Sequence, residues 1–471
     1  MGLSRPTDFY GKKAHVIGIA RSGLAAAEVL RSLGATVTMH DHKESPQFED
    51  ALNKVLKMGL EAKTGEHAYE GIEAADLVIP SPGVPPACPG LVTARDRGIP
   101  IMSEVELGYR ISPAPIIAVT GTNGKTTTTA LIGDILRRDG VHVYVAGNIV
   151  AGDIRLPLSR AAFRASASDI IVAEISSFQL EWVSSLRPRI AALLNISADH
   201  LDRHSDLDDY ARTKARIFEC QEPEDCAVLN ADDPGVMAFA TGIKAQIWQF
   251  SRKSEVELGT FARGTEVWVR TAAGDEPVCD TSAMKLRGVH NVENVLAAAA
   301  VVLAFGGSKH SIQESVNAFE PLEHRLEPVA QIGGVEFVNN SMCTNMLAGI
   351  RSLEAIGSPA IVIAGGKGKG EGSDYAPLGE AFKKHAKHVV LIGEDAPLIE
   401  EAARKVGFEK MSRAVSMAEA VDKAWRHAEP GDTIVLSPGC ASFDMFRHFE
   451  HRGQVFKAAV AALANRVGAN R

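Results

Sequence analysis

The sequence contains no apolar run that could cross a membrane. Its 471 residues include no stretch of about 18 consecutive apolar residues, the length that a transmembrane helix needs. The first residues also lack the apolar core of a secretory signal. We therefore expect a cytoplasmic protein with no membrane insertion.

Cysteine and aromatic residues are also scarce, and the chain has no excess of positive charge. The six cysteines are scattered and form no Cys-x-x-Cys pair, which argues against a zinc site or a disulfide framework. A net charge of −8 argues against a nucleic-acid groove. The hydrophobic content of 45% is typical of globular proteins with an ample core, although aromatics make up only 6%.

The most informative stretch is a glycine-rich loop between a strand pattern and a helix pattern. The apolar residues 116–119 precede it, and a helical pattern follows from Ala130. Backbone N–H groups in such a loop bind phosphate oxygens, a lysine adds charge near the terminal phosphates, and a hydroxyl holds Mg²⁺. The loop is a variant, because Val119 stands where the general pattern has glycine. It predicts an ATP site formed by Gly121, Thr122, Asn123, Gly124, Lys125, Thr126 and Thr127.

A second glycine turn lies near the N-terminus. Residues 18–23 read Gly-Ile-Ala-Arg-Ser-Gly between a strand and a helix, within a β-α-β pattern. This resembles a dinucleotide fingerprint in which Ala20 replaces the middle glycine, leaving less room for a pyrophosphate beside the backbone. We therefore favour a nucleotide-sugar head group over NAD. Ser22, Asp41 and Gly83, the last at the end of a later strand, are the residues expected to bind it.

Alternation of strands and helices predicts an α/β fold with three domains. We expect a Rossmann-like N-terminal domain, a central domain like the P-loop ATPases with a mostly parallel sheet, and a Rossmann-like C-terminal domain. A proline-rich linker at 112–115 and a pattern change near Pro321 set the boundaries. Residues 245–285 look β-rich, which indicates an antiparallel insertion. The predicted domains are 1–113, 114–320 and 321–471.

Two buried strand patterns in the central segment end in polar residues. Glu174 follows one strand and His200 lies beyond the next. At that edge of a parallel sheet, both are candidate Mg²⁺ ligands beside the ATP phosphates. The structural alternatives are a helix N-cap partner for Glu174 and a hydrogen-bonded turn histidine for His200.

Further motifs occur in order along the whole chain. They are Gly147-Asn148, Glu-Ile-Ser-Ser-Phe-Gln at 174–179, the run 195–204, His290-Asn291 with Asn294, and His324-Arg325. Together with loop 121–126, they resemble the Mur ligases, the ATP-dependent amide-forming family of peptidoglycan synthesis. Within this family, the resemblance is to the members that add D-glutamate. That finer match rests on 81–85, 176–180, Gly365-Gly366 with Lys369, and 436–444.

The resemblance implies a reaction. An ADP-forming ligase would join D-glutamate to UDP-N-acetylmuramoyl-L-alanine through an acyl phosphate, in peptidoglycan precursor synthesis. Carboxylate and phosphate repel each other, so cations must gather them. The resemblance assigns this role to Lys125 and two Mg²⁺ ions, with Thr126, Glu174, His200 and Lys214 as metal ligands. Lys214 would be carbamylated; its own pattern indicates a solvated helix lysine.

The resemblance also implies binding roles for other residues. Asn148 would position the substrate near the phosphates. Asn291 would contact adenine, Arg325 the phosphates and Asn340 the ribose. The residues implied around the incoming amino acid are Thr344, Lys369, Ser442 and Phe449, whose cation and hydroxyls suit a dicarboxylic amino acid.

One signature departs from the family pattern. The family's Asp-Ser-Lys-x-Thr-Asn reads Asn-Ser-Met-Cys-Thr-Asn at 340–345, so Met342 removes a cation. Lys367 stands where the family more often has aspartate, and could supply that charge from another loop. The acceptor could therefore be L-glutamate or another amino acid.

Two further alternatives change the class of protein. One is a nucleotide-binding homologue that no longer catalyses; the retained Lys125, Glu174, His200 and Lys214 weigh against it. The other is a nicotinamide-dependent oxidoreductase, which leaves the phosphate loop unexplained. The expected partners are small-molecule substrates, and no nucleic acid. We expect the protein to be a monomer.

Overall fold

The computed structural model describes residues 7–43, 46–150, 154–200, 203–356, 359–368 and 374–469. The chain forms three β-sheets, each built from one consecutive part of the sequence and flanked by helices. Within the described ranges, no helix combines the length and apolarity that crossing a bilayer requires. The predicted α/β fold with mostly parallel sheets is confirmed.

The first sheet has four parallel strands in the order β3-β2-β1-β4. Its strands are β1 (Lys13–Ile17), β2 (Thr36–Asp41), β3 (Glu61–Thr64) and β4 (Leu77–Pro80), and its helices are α1 (Arg21–Ser32), α2 (Pro46–Lys57), α3 (Pro89–Asp96) and α4 (Glu104–Ile111). The strand order changes direction between β1 and β4. The turn after β1 therefore lies at a switch point, where open α/β sheets bind ligands.

The second sheet has nine strands in the order β13-β12-β11-β10-β9-β8-β5-β7-β6. Its strands are β5 (Ile116–Thr120), β6 (Val143–Gly147), β7 (Ile170–Glu174), β8 (Ile190–Leu193), β9 (Cys226–Asn230), β10 (Gln246–Ser251), β11 (Gly259–Arg263), β12 (Glu266–Thr271) and β13 (Gly274–Asp280). Strands β11 to β13 pair antiparallel, as the β-rich pattern of this segment predicted. Buried strand β5 lies between β7 and β8.

Seven helices accompany the second sheet in the described sequence. They are α5 (Lys125–Arg138), α6 (Leu158–Arg164), α7 (Ser177–Leu180), α8 (Leu207–Ala215), α9 (Pro234–Met237), α10 (Val289–Phe305) and α11 (Lys309–Ala318). Parallel strands need crossovers, and helices supply them here. The carboxyl ends of β5, β7 and β8 therefore meet at one edge of the sheet, where the predicted phosphate site lies.

The third sheet has the strand order β14-β15-β19-β16-β17-β18. Its strands are β14 (Glu327–Ile332), β15 (Val335–Asn339), β16 (Ala360–Gly365), β17 (Ala386–Ile392), β18 (Met411–Arg413) and β19 (Thr433–Leu436), and its helices are α12 (Met346–Ile356), α13 (Ala376–His385), α14 (Ala396–Lys405), α15 (Met417–Arg426) and α16 (Phe449–Ala469). Strands β14 and β15 pair antiparallel, because Gly333 and Gly334 adopt positive φ in a two-residue hairpin.

Packing divides the chain into two compact units. The first unit consists of Met1–Ala198, Arg203–Ser282 and Asn294–Ser315, and the second of Asp199–Asp202, Ala283–Glu293 and Val316–Arg471. The first two sheets belong to the first unit, whose main apolar core draws on both. The third sheet carries the cores of the second unit. The domain boundaries at 113/114 and 320/321 stay predictions.

Candidate active site

The phosphate loop, residues 121–124, joins strand β5 to helix α5. Gly121 and Gly124 have φ of +150° and +83°. A Cβ on Gly124 would lie 2.3 Å from Oδ1 of Asn294, and one on Gly121 would lie 3.0 Å from Cβ of Leu194. Both positions therefore require glycine. The loop directs the N-terminus of a 14-residue helix to the sheet edge, a geometry that binds anions.

Two lysines share one carbonyl of the phosphate loop. Lys125 Nζ donates to the carbonyl oxygens of Gly121 and Thr122, both at 2.9 Å. Lys214 Nζ, from helix α8, also donates to Gly121 O at 2.9 Å and lies 4.4 Å from the ring centroid of Tyr210. Lys214 is buried, so the solvated lysine that its local pattern indicates is wrong. The loop therefore carries two cations at its first residue.

A hydrogen-bonded network links three of the predicted site residues. Thr126 Oγ1 donates to Glu174 Oε2 at 2.7 Å, and Asn148 Nδ2 donates to Glu174 Oε1 at 3.1 Å. Glu174 is buried at the end of β7, beside β5. The N-cap of α7 is Ser176, which forms a capping box with Gln179. Glu174 is therefore not needed to cap that helix, and its carboxylate faces the phosphate loop.

Asn195 holds the phosphate loop from the segment after strand β8, a role that the sequence did not predict. Its Oδ1 accepts from the Asn123 backbone N–H at 2.8 Å, and its Nδ2 donates to Asn123 O at 3.1 Å. Its own carbonyl accepts from the Thr122 N–H at 2.9 Å. Its position just beyond a buried strand was the available signal. A side-chain amide can reproduce both sides of a strand pairing, which fixes the loop.

The N-terminal turn, residues 18–23, is closed by small and acidic side chains. Gly18 has φ of +97°, and Ser81 Oγ donates to its carbonyl at 2.8 Å. A Cβ on Gly23 would lie 2.1 Å from that same oxygen. Asp41 Oδ2 accepts from the Ile19 N–H at 2.9 Å. The turn is therefore fixed by its neighbours from β2 and from the segment after β4.

The other predicted residues near this turn have distinct environments. Asp41 is buried, and its Oδ1 accepts from the Lys43 N–H at 3.1 Å. Ser22 is half-buried in the first turn of α1. Gly83 has open space where a Cβ would stand. Because Asp41 uses both oxygens on backbone N–H groups, it shapes the turn as well as being a candidate ribose ligand.

In the second unit, Asn291 lies in the first turn of α10. Its Nδ2 donates to Arg287 O at 2.7 Å, and Arg287 forms an ion pair with Glu336 of β15. Burial and the nearby arginines hold the pKa of His290 at about 4, so this ring is neutral near pH 7. The helix start is therefore fixed around the predicted adenine-binding residue.

His200, in the second unit, has an unusual backbone conformation. Its φ is +56°, in the left-handed region that non-glycine residues adopt rarely. Its backbone N–H donates to Asp199 Oδ1 at 3.0 Å, and its Nε2 lies 3.7 Å from Asp199 Oδ2. Such strain persists where surrounding structure holds it, and is frequent at functional sites.

A second strained segment surrounds Arg325. His324 and Leu326, on either side of it, have φ of +65° and +45°. Asn340 Oδ1 accepts from the Leu326 N–H at 3.2 Å, and Asn339 Nδ2 lies 2.9 Å from His324 Nδ1. The predicted ribose ligand Asn340 therefore also stabilises the turn that carries the predicted phosphate-binding arginine.

Arg452, which the sequence reading also missed, ties two loops of the second unit together. It is fully buried on α16 and donates to Ser341 O at 2.8 Å and to Cys440 O at 3.0 Å. Burial lowers its pKa to about 10. Both loops carry predicted substrate residues. No local pattern distinguishes Arg452 from a solvated helix arginine, so the sequence offered no signal.

The predicted amino-acid ligands lie on or beside those two loops. Thr344 is half-buried, and Ser442 is buried directly after Ala441. Phe449 begins α16, and its carbonyl accepts from Ser341 Oγ at 2.7 Å. Lys369 lies outside the described residues.

Comparison with known proteins gives matches along the whole chain. Residues 12–103 match the Mur ligase MurD-like N-terminal domain, residues 119–302 the Mur ligase middle domain, and residues 324–440 the Mur ligase glutamate ligase domain. A UDP-N-acetylmuramoylalanine--D-glutamate ligase of Pelotomaculum thermopropionicum is 43% identical over 97% of this chain and 99% of the relative. The enzyme of that name from Koribacter versatilis is 41% identical, with the same coverage of each chain.

The chain belongs to the Mur ligase family. It is therefore an ATP-dependent ligase, and the oxidoreductase alternative is not supported. Solved Mur ligases share the three-domain α/β fold. MurC of Thermotoga maritima superposes with a TM-score of 0.62 at 19% identity, over 96% of this chain and 100% of that one. MurF of Acinetobacter baumannii gives 0.61 at 19% identity, over 96% and 93%.

The donor set of this Mur ligase fits a magnesium ion shared with nucleotide phosphates. Among the described residues, no group of three or more His, Cys, Asp or Glu side chains could hold a metal by itself. Nucleotide-bound Mg²⁺ needs only one or two protein oxygens, because phosphates and waters complete its shell. The Thr126 hydroxyl and the Glu174 carboxylate, 2.7 Å apart, are oxygens of this kind.

Proposed function

We propose that this chain joins D-glutamate to UDP-N-acetylmuramoyl-L-alanine, cleaving ATP to ADP and phosphate. The observation that carries the proposal is identity of 41–43% over nearly the whole chain to relatives that bear this enzyme name. The hydrogen-bonded network of Thr126, Glu174 and Asn148 beside the phosphate loop supports the proposal, because its groups suit phosphate chemistry. The proposed product enters peptidoglycan synthesis.

The reaction proceeds in two balanced steps. The substrate carboxylate attacks the γ-phosphorus, ADP leaves, and an acyl phosphate forms. The amine of the amino acid then attacks the acyl carbon, phosphate leaves, and a proton is lost from nitrogen. Lys125 exchanges its loop carbonyls for phosphate oxygens and stabilises the charge that develops there. Asn148, held by Glu174, positions the carboxylate.

Mg²⁺ and a modified lysine complete the proposed phosphate site. Mg²⁺, when bound, neutralises the phosphate charge and orients the γ-phosphate. Thr126 and Glu174 would hold one ion, and His200 and Lys214 would be ligands of a second. Carbamylation of Lys214 by CO₂ turns its amine into an anionic oxygen ligand. Its burial supports this role, since a buried charge is tolerated when it is paired, and a carbamate would be paired with the metal ion.

Each substrate has its own set of proposed ligands. The N-terminal turn with Ser22, Asp41 and Gly83 binds the UDP group. ATP is bound by the phosphate loop with Thr127, Asn291, Arg325 and Asn340. The amino acid is bound by Thr344, Lys369, Ser442 and Phe449. Strain at His324 and Leu326, on both sides of Arg325, supports a functional turn at that position.

The domain boundaries, oligomeric state and compartment complete the proposal. We propose domains 1–113, 114–320 and 321–471 acting within a monomer. The cytoplasm is the proposed compartment, because the six cysteines are free thiols, as in reducing surroundings.

The test is phosphate release with ATP, Mg²⁺ and UDP-N-acetylmuramoyl-L-alanine, comparing D-glutamate, L-glutamate and a panel of other amino acids. Turnover confined to D-glutamate is the expected result. Absence of turnover with every amino acid, in protein that still binds ATP, would refute the proposal and favour the non-catalytic homologue.

A second candidate keeps the chemistry and changes the amino acid. The departing residue Lys367 pairs antiparallel with Ala441, directly before Ser442, through hydrogen bonds of 3.0 and 2.9 Å. Its Nζ lies 3.1 Å from Glu394 Oε2. Because this residue adjoins the predicted amino-acid site, its altered charge bears on specificity. Turnover with another amino acid in the same panel would favour this candidate.

A further inference from the structure

Arg21 connects the N-terminal turn to the segment that carries Asn148. It is the first residue of α1 and belongs to the turn itself. Its Nη1 donates to Ile149 O at 3.2 Å, and its Nη2 lies 3.5 Å from Asn148 O. The residues in contact are 127 or 128 positions apart in sequence. A turn of the first sheet therefore touches the loop after β6 directly.

The contact continues to the phosphate loop through hydrogen bonds. The Asn148 backbone N–H donates to Glu174 O at 2.8 Å, and its side chain donates to Glu174 Oε1 at 3.1 Å. The second carboxylate oxygen, Oε2, accepts from Thr126 Oγ1 at 2.7 Å. A displacement of Asn148 must therefore disturb the carboxylate that faces Thr126.

The other end of the path is held just as firmly. The Gly18 N–H donates to His40 O at 2.7 Å, and the Ile19 N–H donates to Asp41. The Leu24 N–H donates to Ala20 O at 2.8 Å, which fixes the start of α1. A ligand that shifts this turn would therefore also shift Arg21.

A neighbouring ion pair provides a control for the Arg21 contact, because it has only a structural role. Arg160 of α6 donates through Nε to Glu28 of α1 at 2.6 Å. This pair joins the same two regions but does not touch residues 148 or 149. If Arg21 served only to hold the regions together, loss of Arg160 would have a similar effect.

We propose that Arg21 is a positioning residue that couples nucleotide-sugar binding at the N-terminal turn to the Asn148–Glu174–Thr126 network. The inference rests on the proposed function of that turn. It predicts that the UDP substrate raises the affinity for Mg²⁺-nucleotide, because a placed Asn148 orients Glu174. By linkage, the nucleotide raises the affinity for the UDP substrate by the same factor.

The experiment measures that factor by calorimetry. A non-hydrolysable ATP analogue with Mg²⁺ is titrated into the full chain, with and without UDP-N-acetylmuramoyl-L-alanine. The wild type should show at least about fivefold tighter binding when the UDP substrate is present. In Arg21→Ala, at a UDP-substrate concentration that a separate titration of this variant shows to be saturating, the factor should fall to about one. Arg21→Lys should restore part of the factor, and Arg160→Ala should retain it.

Three outcomes would overturn the inference: no coupling in the wild type, undiminished coupling in Arg21→Ala, or equal loss in Arg160→Ala. The wild-type phosphate-release assay separates its failure from that of the proposed function. Turnover without coupling removes the role of Arg21 alone. Failure of the UDP substrate both to bind and to turn over removes the proposed function as well.

Discussion

The phosphate loop and the N-terminal turn share a local plan and differ in the groups around it. Each joins a buried parallel strand to the start of a helix through a loop with at least one glycine at positive φ. Around the phosphate loop, Lys125 and Lys214 both donate to Gly121 O. Around the N-terminal turn, Ser81 and Asp41 bond the backbone, and Arg21 reaches away to Ile149.

This difference teaches how one supersecondary unit serves two tasks. Strand, glycine turn and helix supply directed N–H groups in both places. The charge of the adjoining side chains decides which ligand those N–H groups bind. Two lysines beside the phosphate loop suit a ligand as highly charged as a triphosphate. At the N-terminal turn the acidic residue Asp41 bonds the backbone, which suits a larger ligand with less charge.

The largest expected effect comes from removing a cation beside the phosphate loop. Lys125→Ala should lower kcat about 10³-fold, since a lost charge at developing phosphate charge has effects of this order. Steady-state phosphate release measures it. The control is Arg138→Ala, at the other end of α5, which breaks only an exposed pair with Asp134. A loss below about tenfold would remove Lys125 from the chemistry.

Arg452 sharpens the comparison, because it is a fully buried cation that ties two loops of the second unit together. Arg452→Met should lower the free energy of unfolding by about 3–5 kcal/mol, since buried carbonyls lose charged donors. Urea unfolding of the full chain measures it. Arg466→Ala on the same helix breaks an exposed pair with Asp422 and should change stability by less than about 0.5 kcal/mol. Equal effects of the two variants would contradict this role.

His40, beside Asp41 in the N-terminal domain, introduces pH dependence. Burial lowers its pKa from 6.5 to about 4, aided by the neighbouring His15 and Lys63. The unfolded chain therefore binds more protons between pH 6.5 and 4, and stability should fall as pH falls through that window. The loss attributable to His40 is at most about 3 kcal/mol.

His40→Gln should flatten that dependence, because glutamine can still reach Ala68 O but does not titrate. Unfolding free energies at pH 4.5, 5.5 and 6.5 provide the measurement. An unchanged slope would assign the acid sensitivity to other histidines whose pKa is lowered, such as His290.

The smallest expected effects separate the two glycine turns from each other. Gly124→Ala should weaken binding of the ATP analogue about tenfold or more and leave the UDP substrate unaffected, because its Cβ meets Asn294 at positive φ. Gly23→Ala should do the reverse, since its Cβ meets Gly18 O. Gly242→Ala, with open space around it, is the control. Loss of both affinities in either variant would mean that the turns are not separate sites.

Much of the fold follows from short patterns in the sequence. Apolar strand patterns and glycine positions predicted the phosphate loop, the N-terminal turn and the antiparallel segment of β11 to β13. These predictions hold because φ, side-chain periodicity and turn chemistry are local properties. The hairpin between β14 and β15 was not predicted, although Gly333 and Gly334 provided a signal.

The side chains that complete the candidate site come from distant parts of the chain. Lys214 reaches Gly121 across 93 residues, and Arg452 reaches Ser341 across 111. Taken from its own helix, each resembles a solvated surface residue. Their burial depends on which strands lie side by side, and no local pattern encodes that order.

The sequence by itself determined where the chain turns and which turns can bind phosphate, because glycine and periodicity act within a few residues. With the family resemblance, it also determined the class of reaction. The tertiary structure alone decided that Asn195 braces the phosphate loop and that Arg21 reaches the carbonyl of Ile149. These contacts join residues that only the packing of parallel strands and their crossover helices brings within hydrogen-bonding distance.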